Sequence, residues 1–250
     1  RIARGRTLLL ALMLVAVSFF GVRTMVLGGS VVGSFTAEAL VDLSIGQRGL
    51  TMLPVVTQWF RLLLWPAHLQ ADYSPAEIVA QTAWGTDQTL GALLLLGTVL
   101  GLAAAWRRAP AIAFGLGWCA IAIFPVHNVL VPTGIVLAER TLLLPSVGMM
   151  IVLGGVGEWA LRQSTTRART GLVAIAGLVL ALGVYRSGLR HPVWSSQFNL
   201  WYVTANDDAP LSYRAHHALA EMYALAHADG RAEREYRLAI DLAPQGEWKV

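Results

Sequence analysis

Residues 89–108 read TLGALLLLGTVLGLAAAWRR. No charge interrupts the run until Arg107 and Arg108 close it. A helix rising about 1.5 Å per residue carries such a run across most of a hydrocarbon core about 30 Å thick. Arginines gathered at one end mark that end as cytoplasmic. The stretch reads as a membrane span running inward, and it decides the fold class: an all-α, polytopic helical membrane chain.

The rest of the composition agrees. Of 250 residues, 56% are hydrophobic and 14% charged, against roughly 25% charged in soluble domains. Cys119 is the single cysteine, which excludes an intrachain disulfide and a thiolate metal cluster. No metal-ligand spacing and no cofactor motif occurs, so neither a metal nor a cofactor is expected. The net charge is +4 with a pI near 9.6, and all 19 basic residues except Lys249 are arginine. Many of these arginines flank apolar runs, a pattern of membrane topology rather than of nucleic-acid binding. The arginine bias hints at a GC-rich bacterial source. Arg1 stands where a methionine is expected, and no A-x-A site follows the first apolar run. A piece of a longer protein, without a signal peptide, is the expectation.

Outward from residues 89–106, the spans follow the arginines. Residues 8–26 leave Arg1, Arg4 and Arg6 and lead outward; residues 111–125 return outward from Arg107 and Arg108. Residues 146–161 and 171–185 both have their inner ends at Arg162, Arg167 and Arg169. Residues 50–65 are apolar but carry Pro54, Gln58 and Arg61, and a full crossing there breaks the alternation. They read as a re-entrant or interfacial helix on the outer face. The expected topology is five spans plus that helix, within a membrane domain of residues 1–189. Gly28, Gly29 and Gly33 read as loop punctuation after the first span, since no phosphate-loop spacing follows.

Residues 190–250 form a second unit, a linker helix at 193–205 followed by a helical hairpin. Leu219, Ala220 and Tyr223 share one helical face, and Ala232, Tyr236 and Ala239 the facing one. With Pro244 as the terminal proline, these positions match a tetratricopeptide repeat. Two departures are visible: His216 replaces the usual Trp, and Gly230 falls three positions late. A lone repeat leaves an apolar face open and calls for neighbours. Trp194, Phe198 and Trp201 on the linker read either as interfacial anchors or as repeat packing.

The stretches Phe124-Pro125-Val126-His127-Asn128-Val129-Leu130-Val131-Pro132 and Ala138-Glu139-Arg140-Thr141-Leu142-Leu143-Leu144-Pro145-Ser146, with Leu64-Trp65-Pro66 and Ala71-Asp72-Tyr73-Ser74 before them, resemble the transmembrane and tetratricopeptide-repeat O-mannosyltransferase (TMTC) family and its bacterial relatives. The resemblance runs from about Phe35 through the repeat, and Leu143 stands where relatives often have Tyr. It implies a polytopic GT-C type glycosyltransferase that moves a sugar from a polyprenyl-phosphate donor to a protein hydroxyl on the non-cytoplasmic face. In a bacterium that places the protein in the inner membrane with its repeat in the periplasm. The family's catalytic acidic pair sits in the first outer loop, which the resemblance places before Arg1. The implied partners are the lipid-linked sugar, a protein acceptor met through the repeat, and the bilayer.

Within this chain, Glu139 and Arg140 stand out, because adjacent opposite charges at the outer end of a span are expensive unless paired or used. Arg140 suits a phosphate oxygen through its fixed donor fork, with Glu139 orienting it or a nearby group; a salt bridge locking the outer loop is the structural alternative. Asp72 and Tyr73 form the next candidate pair, against a plain turn. His127 and Asn128 either hydrogen-bond the headgroup or cap their loop. Asp207-Asp208 reads as a capping or turn pair. Glu38 and Asp42 face either the active site or solvent, and Glu158 meets Arg162 at i+4. Two other classes stay open: an envelope-polymer ligase or polymerase, and a non-catalytic membrane-anchored repeat scaffold.

Overall fold

The computed structural model describes residues 2–26, 37–73 and 78–243. Gly28, Gly29, Gly33, Ser74, Pro244 and the side chain of Glu38 lie outside the described residues. Among the described residues every regular element is helical: α1 (Ile2–Val26), α2 (Ile45–Leu64), α3 (Thr86–Arg108), α4 (Pro110–Ile123), α5 (Leu143–Gln163), α6 (Thr166–Arg190), α7 (Gln197–Val203), α8 (Tyr213–Leu225) and α9 (Asp229–Leu242).

Three helical stretches are long and apolar enough to cross a membrane: Thr86–Arg108, Glu139–Gln163 and Thr166–Ser195. The chain is an integral membrane protein. Of the five crossings expected from sequence, the other two correspond to shorter apolar helices, Met13–Val26 and Pro110–Val126. The second of these tightens into a 3-10 turn at Phe124–Val126, where Pro125 has no N–H to extend the helical ladder. Along α6 no residue is buried, and its Val173, Ile175, Leu178, Leu180 and Val184 are all exposed. Such a surface faces lipid.

α3, α4 and α5 form an antiparallel layer. Glycine sets the spacing of α4 and α5: a Cβ on Gly115 meets the Gly148 carbonyl oxygen at 2.6 Å, and one on Gly148 meets the Gly115 oxygen at 2.6 Å. Backbones this close gain dispersion contact where lipid offers no hydrophobic drive.

α2 begins at a reciprocal cap, with the Gln47 N–H donating to Ser44 Oγ at 3.4 Å and the Ser44 N–H to Gln47 Oε1 at 2.9 Å. Pro54 lies inside it and has no N–H for the Leu50 carbonyl one turn earlier. Gln88 of α3, buried, donates through Nε2 to that Leu50 oxygen at 3.4 Å. Gly91, one turn on, lets α3 approach so closely that a Cβ there meets Leu53 O at 1.9 Å. The proline that argued against an ordinary span is thus accommodated by a partner helix rather than by a break. α2 buries Met52, Val55, Val56, Trp59, Leu62 and Leu63 against Leu137, Leu142 and Met149.

Both ends of α2 meet the same ends of the other helices. Thr51 Oγ1 accepts from the Gln81 N–H at 2.9 Å just before α3, while Trp65 lies against Arg186 near the end of α6. Arg107, Arg108, Arg162, Arg167 and Arg169 gather at the opposite end. One end of the bundle is therefore basic, and the other carries α2, the long loops and the tail.

In the tail, a 3-10 turn at His191–Ser195 continues α6, then α7 passes into a π-helical turn at Thr204–Asp208. α8 and α9 pack against each other as a pair of helices joined by a short turn, with Ala215, Leu219 and Ala220 fully buried and Ala232 and Ala239 buried on α9. Phe198 meets Tyr223 edge-on at 5.6 Å, and Trp201 packs on Ala205 and Leu219, so these linker aromatics join the hairpin core. Trp194 stays exposed. His216 fills the expected Trp position by hydrogen bonding, Nδ1 to Glu235 Oε2 at 2.7 Å and Nε2 to Pro210 O at 3.0 Å. The turn that lacks a timely glycine is made by His227 at φ 56°, closed by the Ala228 N–H to Tyr223 O at 2.9 Å and the His227 N–H to Ala224 O at 3.0 Å, the paired bonds of a left-handed helix stop.

Candidate functional site

The loop between α4 and α5 is built on Asn128, which is fully buried with φ 58°. Its amide donates to Val126 O at 3.2 Å and Ile135 O at 3.0 Å. Its Oδ1 accepts from the Thr133 N–H at 2.6 Å and the Thr133 hydroxyl at 2.8 Å. These bonds tie the two sides of the loop together through one side chain. His127 stacks on Phe124 with ring centroids 4.9 Å apart. Its Nδ1 faces Phe124 O and its Nε2 accepts from the Leu130 N–H at 3.3 Å, an arrangement that fixes the Nδ1–H tautomer. The imidazole borders an apolar cavity of about 500 Å³ between α2 and α3–α5, lined by Met52, Val56, Trp59, Leu95 and Met149.

The loop delivers Glu139 and Arg140 into the 3-10 turn Glu139–Leu142 at the head of α5, where consecutive side chains point apart. Glu139 turns inward: Oε1 accepts from the Gln70 N–H at 2.5 Å and from the Tyr73 hydroxyl at 3.2 Å. Burial, and then the adjacent Glu139 carboxylate, push the Tyr73 phenol far above its ordinary range. The phenol is held as a neutral donor. Arg61, on the last turn of α2, donates to Gln58 Oε1 at 2.8 Å and to His68 O at 3.3 Å. Arg140 is exposed and pairs with no carboxylate among the described residues; the Glu139–Arg140 bridge does not form.

The tail docks on the same loops. Arg190 forks onto Asp208, Nη1 to Oδ1 at 3.0 Å and Nη2 to Oδ2 at 2.5 Å, and Nη2 also reaches Leu69 O at 3.0 Å. Gln70 Nε2 donates to Asp208 O at 2.6 Å. Asp72 accepts from the Ser212 hydroxyl at 2.7 Å and lies 3.7 Å from Arg214 Nη1. Ser212 in turn caps α8 through the Ala215 N–H at 3.1 Å. One carboxylate thereby ties the loop after α2 to the start of α8.

These contacts enclose a pocket of about 80 Å³ lined by Asp72, Tyr73, Arg140, Arg214 and the backbone of residues 134–138. Among the described residues its charged lining is Arg140, Arg214 and Asp72, with Arg214 lying against Asp72. Of the residues expected from sequence, the fold brings Asp72, Tyr73, Glu139 and Arg140 together. It places His127 on the apolar cavity and Asn128 inside its loop. Asp208 has an ion-pair role and Asp207 sits in the π-helical turn. Glu158 meets Arg162 at 2.5 Å, both exposed, and Asp42 lies in a turn at φ 57°. Sequence reading missed Gln70, Arg190 and Arg214. Arg214 sits in a helix whose signal was packing periodicity, and no local pattern marks its reach across 142 residues to Asp72. Among the described residues no three His, Cys, Asp or Glu side chains gather as a metal site.

The chain is similar to protein O-mannosyl-transferase Tmtc1 of Drosophila melanogaster, 33% identical over 134 residues covering 52% of this chain and 14% of that protein. It is 31% identical over 110 residues to protein O-mannosyl-transferase TMTC4 of Homo sapiens, covering 44% of this chain and 14% of that protein. A longer match, 27% identical over 193 residues, reaches protein O-mannosyl-transferase TMTC1 of Mus musculus and covers 74% of this chain and 20% of that protein. The chain thus spans only 14% to 20% of the length of these relatives. No family model matches the sequence, and no solved structure matches it.

Proposed function

Because the chain is TMTC-like, we propose that it is part of a membrane glycosyltransferase that moves a sugar from a polyprenyl-phosphate donor to a protein hydroxyl on the non-cytoplasmic face. The observation that carries this reading is the meeting of Asp72, Tyr73, Arg140 and Arg214 around one pocket, in which Arg140 is exposed and pairs with no carboxylate among the described residues, at the end of the bundle opposite the basic loops. Arg140 binds the donor phosphate and is joined there by Arg214. Charge that builds on the departing lipid phosphate is stabilised by both guanidinium forks, which need no reorganisation as it forms. Tyr73, whose single O–H is committed to Glu139, fixes the pocket wall and leaves only its oxygen lone pairs toward the pocket. The apolar cavity between α2 and α3–α5 suits an isoprenoid chain, with His127 at its rim.

The reading includes five crossings, by α1, α3, α4, α5 and α6, with α2 lying across their outer ends. The basic loops then face the cytoplasm, and residues 190–250, with the hairpin as one tetratricopeptide repeat, face the other side, the periplasm in a bacterium. Docked through Asp72 and Asp208, the hairpin holds a protein acceptor or partner beside the pocket.

Arg140→Gln in the complete protein is the test, read as consumption of a polyprenyl-phosphate-linked mannose. The expected fall is about a hundredfold, the loss typical of one preorganised donor at a developing charge, and Arg140→Lys recovers only part of it because the ammonium lacks the fork. Unchanged turnover in Arg140→Gln refutes the phosphate assignment.

A further inference from the structure

A second cleft, of about 690 Å³, opens at the outer end of α6 against residues 65–69. Gly183, Arg186, Ser187 and Arg190 line it, spaced i, i+3, i+4 and i+7 on one face of the helix. Arg190 is committed to Asp208. Arg186 is not committed to an acid: it donates to Ala67 O and lies 6.0 Å from the centroid of the Trp65 ring, and no carboxylate pairs with it among the described residues. Two exposed indoles, Trp65 and Trp194, flank the opening. Indoles settle at the headgroup level of a bilayer. Below the cleft, residues 171–182 of α6 carry only apolar side chains and glycine, with Val179 and Leu180 exposed.

Asp208 also lines the cleft but is taken by Arg190, and a cation with no carboxylate partner among the described residues, at headgroup depth, walled by aromatic rings and continuous with a lipid-facing helix, matches one ligand chemistry. We infer that this cleft binds the phosphate group of a membrane lipid, with Arg186 as its principal contact and the lipid chains lying along α6. The inference rests on the reading above only in placing the end of α6 at the outer bilayer interface. Arg supplies paired N–H donors to phosphate oxygens, and the cation–aromatic contact holds the guanidinium in place. Gly183 leaves the cleft floor open, since a Cβ there meets nothing within 4 Å.

The test is native mass spectrometry of the full chain released from micelles after titration with dioleoyl phosphatidylglycerol, a polyprenyl monophosphate, dioleoylglycerol or inorganic phosphate. The expected result is retention of one phosphate-bearing lipid and no retention of dioleoylglycerol. Arg186→Gln should weaken that retention about tenfold, the scale of one charge-assisted hydrogen bond. Gly183→Leu projects a side chain into the cleft from a position where the added Cβ meets no atom within 4 Å and should weaken retention as well, so a folding defect in the first variant does not decide the matter. Preference for phosphatidylglycerol identifies a structural phospholipid, and preference for the polyprenyl monophosphate identifies a station on the donor's path; either supports the site. Equal retention of dioleoylglycerol, full competition by inorganic phosphate, or wild-type retention in both variants overturns it. Arg140→Gln leaves the phosphatidylglycerol adduct intact while lowering sugar transfer about a hundredfold, so this inference and the proposed function fail separately.

Discussion

Asn128 concentrates the loop between α4 and α5 on one side chain. It holds a left-handed backbone that costs about 1–2 kcal/mol for most residues and satisfies acceptors and donors on both sides of the loop. Asn128→Ala should therefore lower stability by about 3 kcal/mol, from the lost hydrogen bonds and the retained left-handed strain together. Thermal unfolding followed by circular dichroism in micelles checks this, and Asn128→Gly, which keeps the backbone relaxed, should lose less. Tyr73 makes a different prediction. Its folded phenol titrates above the ordinary value of about 10, so the stability it contributes is complete below that value and is lost only as pH rises through the raised folded one. Spectroscopic titration should show one tyrosine ionising last, and Tyr73→Phe should remove that component. No limb of an activity profile near neutral pH belongs to it.

At the scale of an element, α2 shows how a helix with an internal proline stays whole inside a membrane protein. Pro54 frees the Leu50 carbonyl, and Gln88 on the neighbouring helix takes it up. Gln88→Leu leaves that buried oxygen unpaired and should cost about 1–3 kcal/mol. In a Pro54→Ala background the restored N–H takes over the bond, so the same substitution should cost clearly less; equal costs in both backgrounds dismiss the compensation. The close approach at Gly91 belongs to the same device, since no side chain fits between α3 and the carbonyls it serves.

For the whole molecule, the decisive feature is that the tail is not a free appendage. Arg190 leaves the end of a lipid-facing helix and meets Asp208 with both side chains mostly enclosed, at 21% and 16% exposure. Breaking such a pair strands a partly buried charge. Arg190→Gln and Asp208→Asn should each loosen the tail, and the double mutant should recover part of the loss, a coupling of about 0.5–3 kcal/mol. Hydrogen exchange over residues 197–243 measures it. If the double mutant is as loose as the sum of the singles, the pair does not dock the hairpin.

Much of this was written in the chain itself. Uninterrupted apolar runs with arginines at alternate ends determined a helical membrane protein, because burying a backbone in hydrocarbon leaves the helix as the only local solution. The periodic faces of Leu219, Ala220 and Tyr223 and of Ala232, Tyr236 and Ala239 were legible as a packed helix pair, since those contacts lie between neighbouring helices. The pairing of Glu139 with Tyr73 instead of Arg140, the service of Gln88 to a proline-freed carbonyl, and the reach of Arg214 to Asp72 were settled only in three dimensions. Each joins segments far apart in sequence, and side-chain direction at the end of a helix depends on what packs behind it, which no local periodicity encodes.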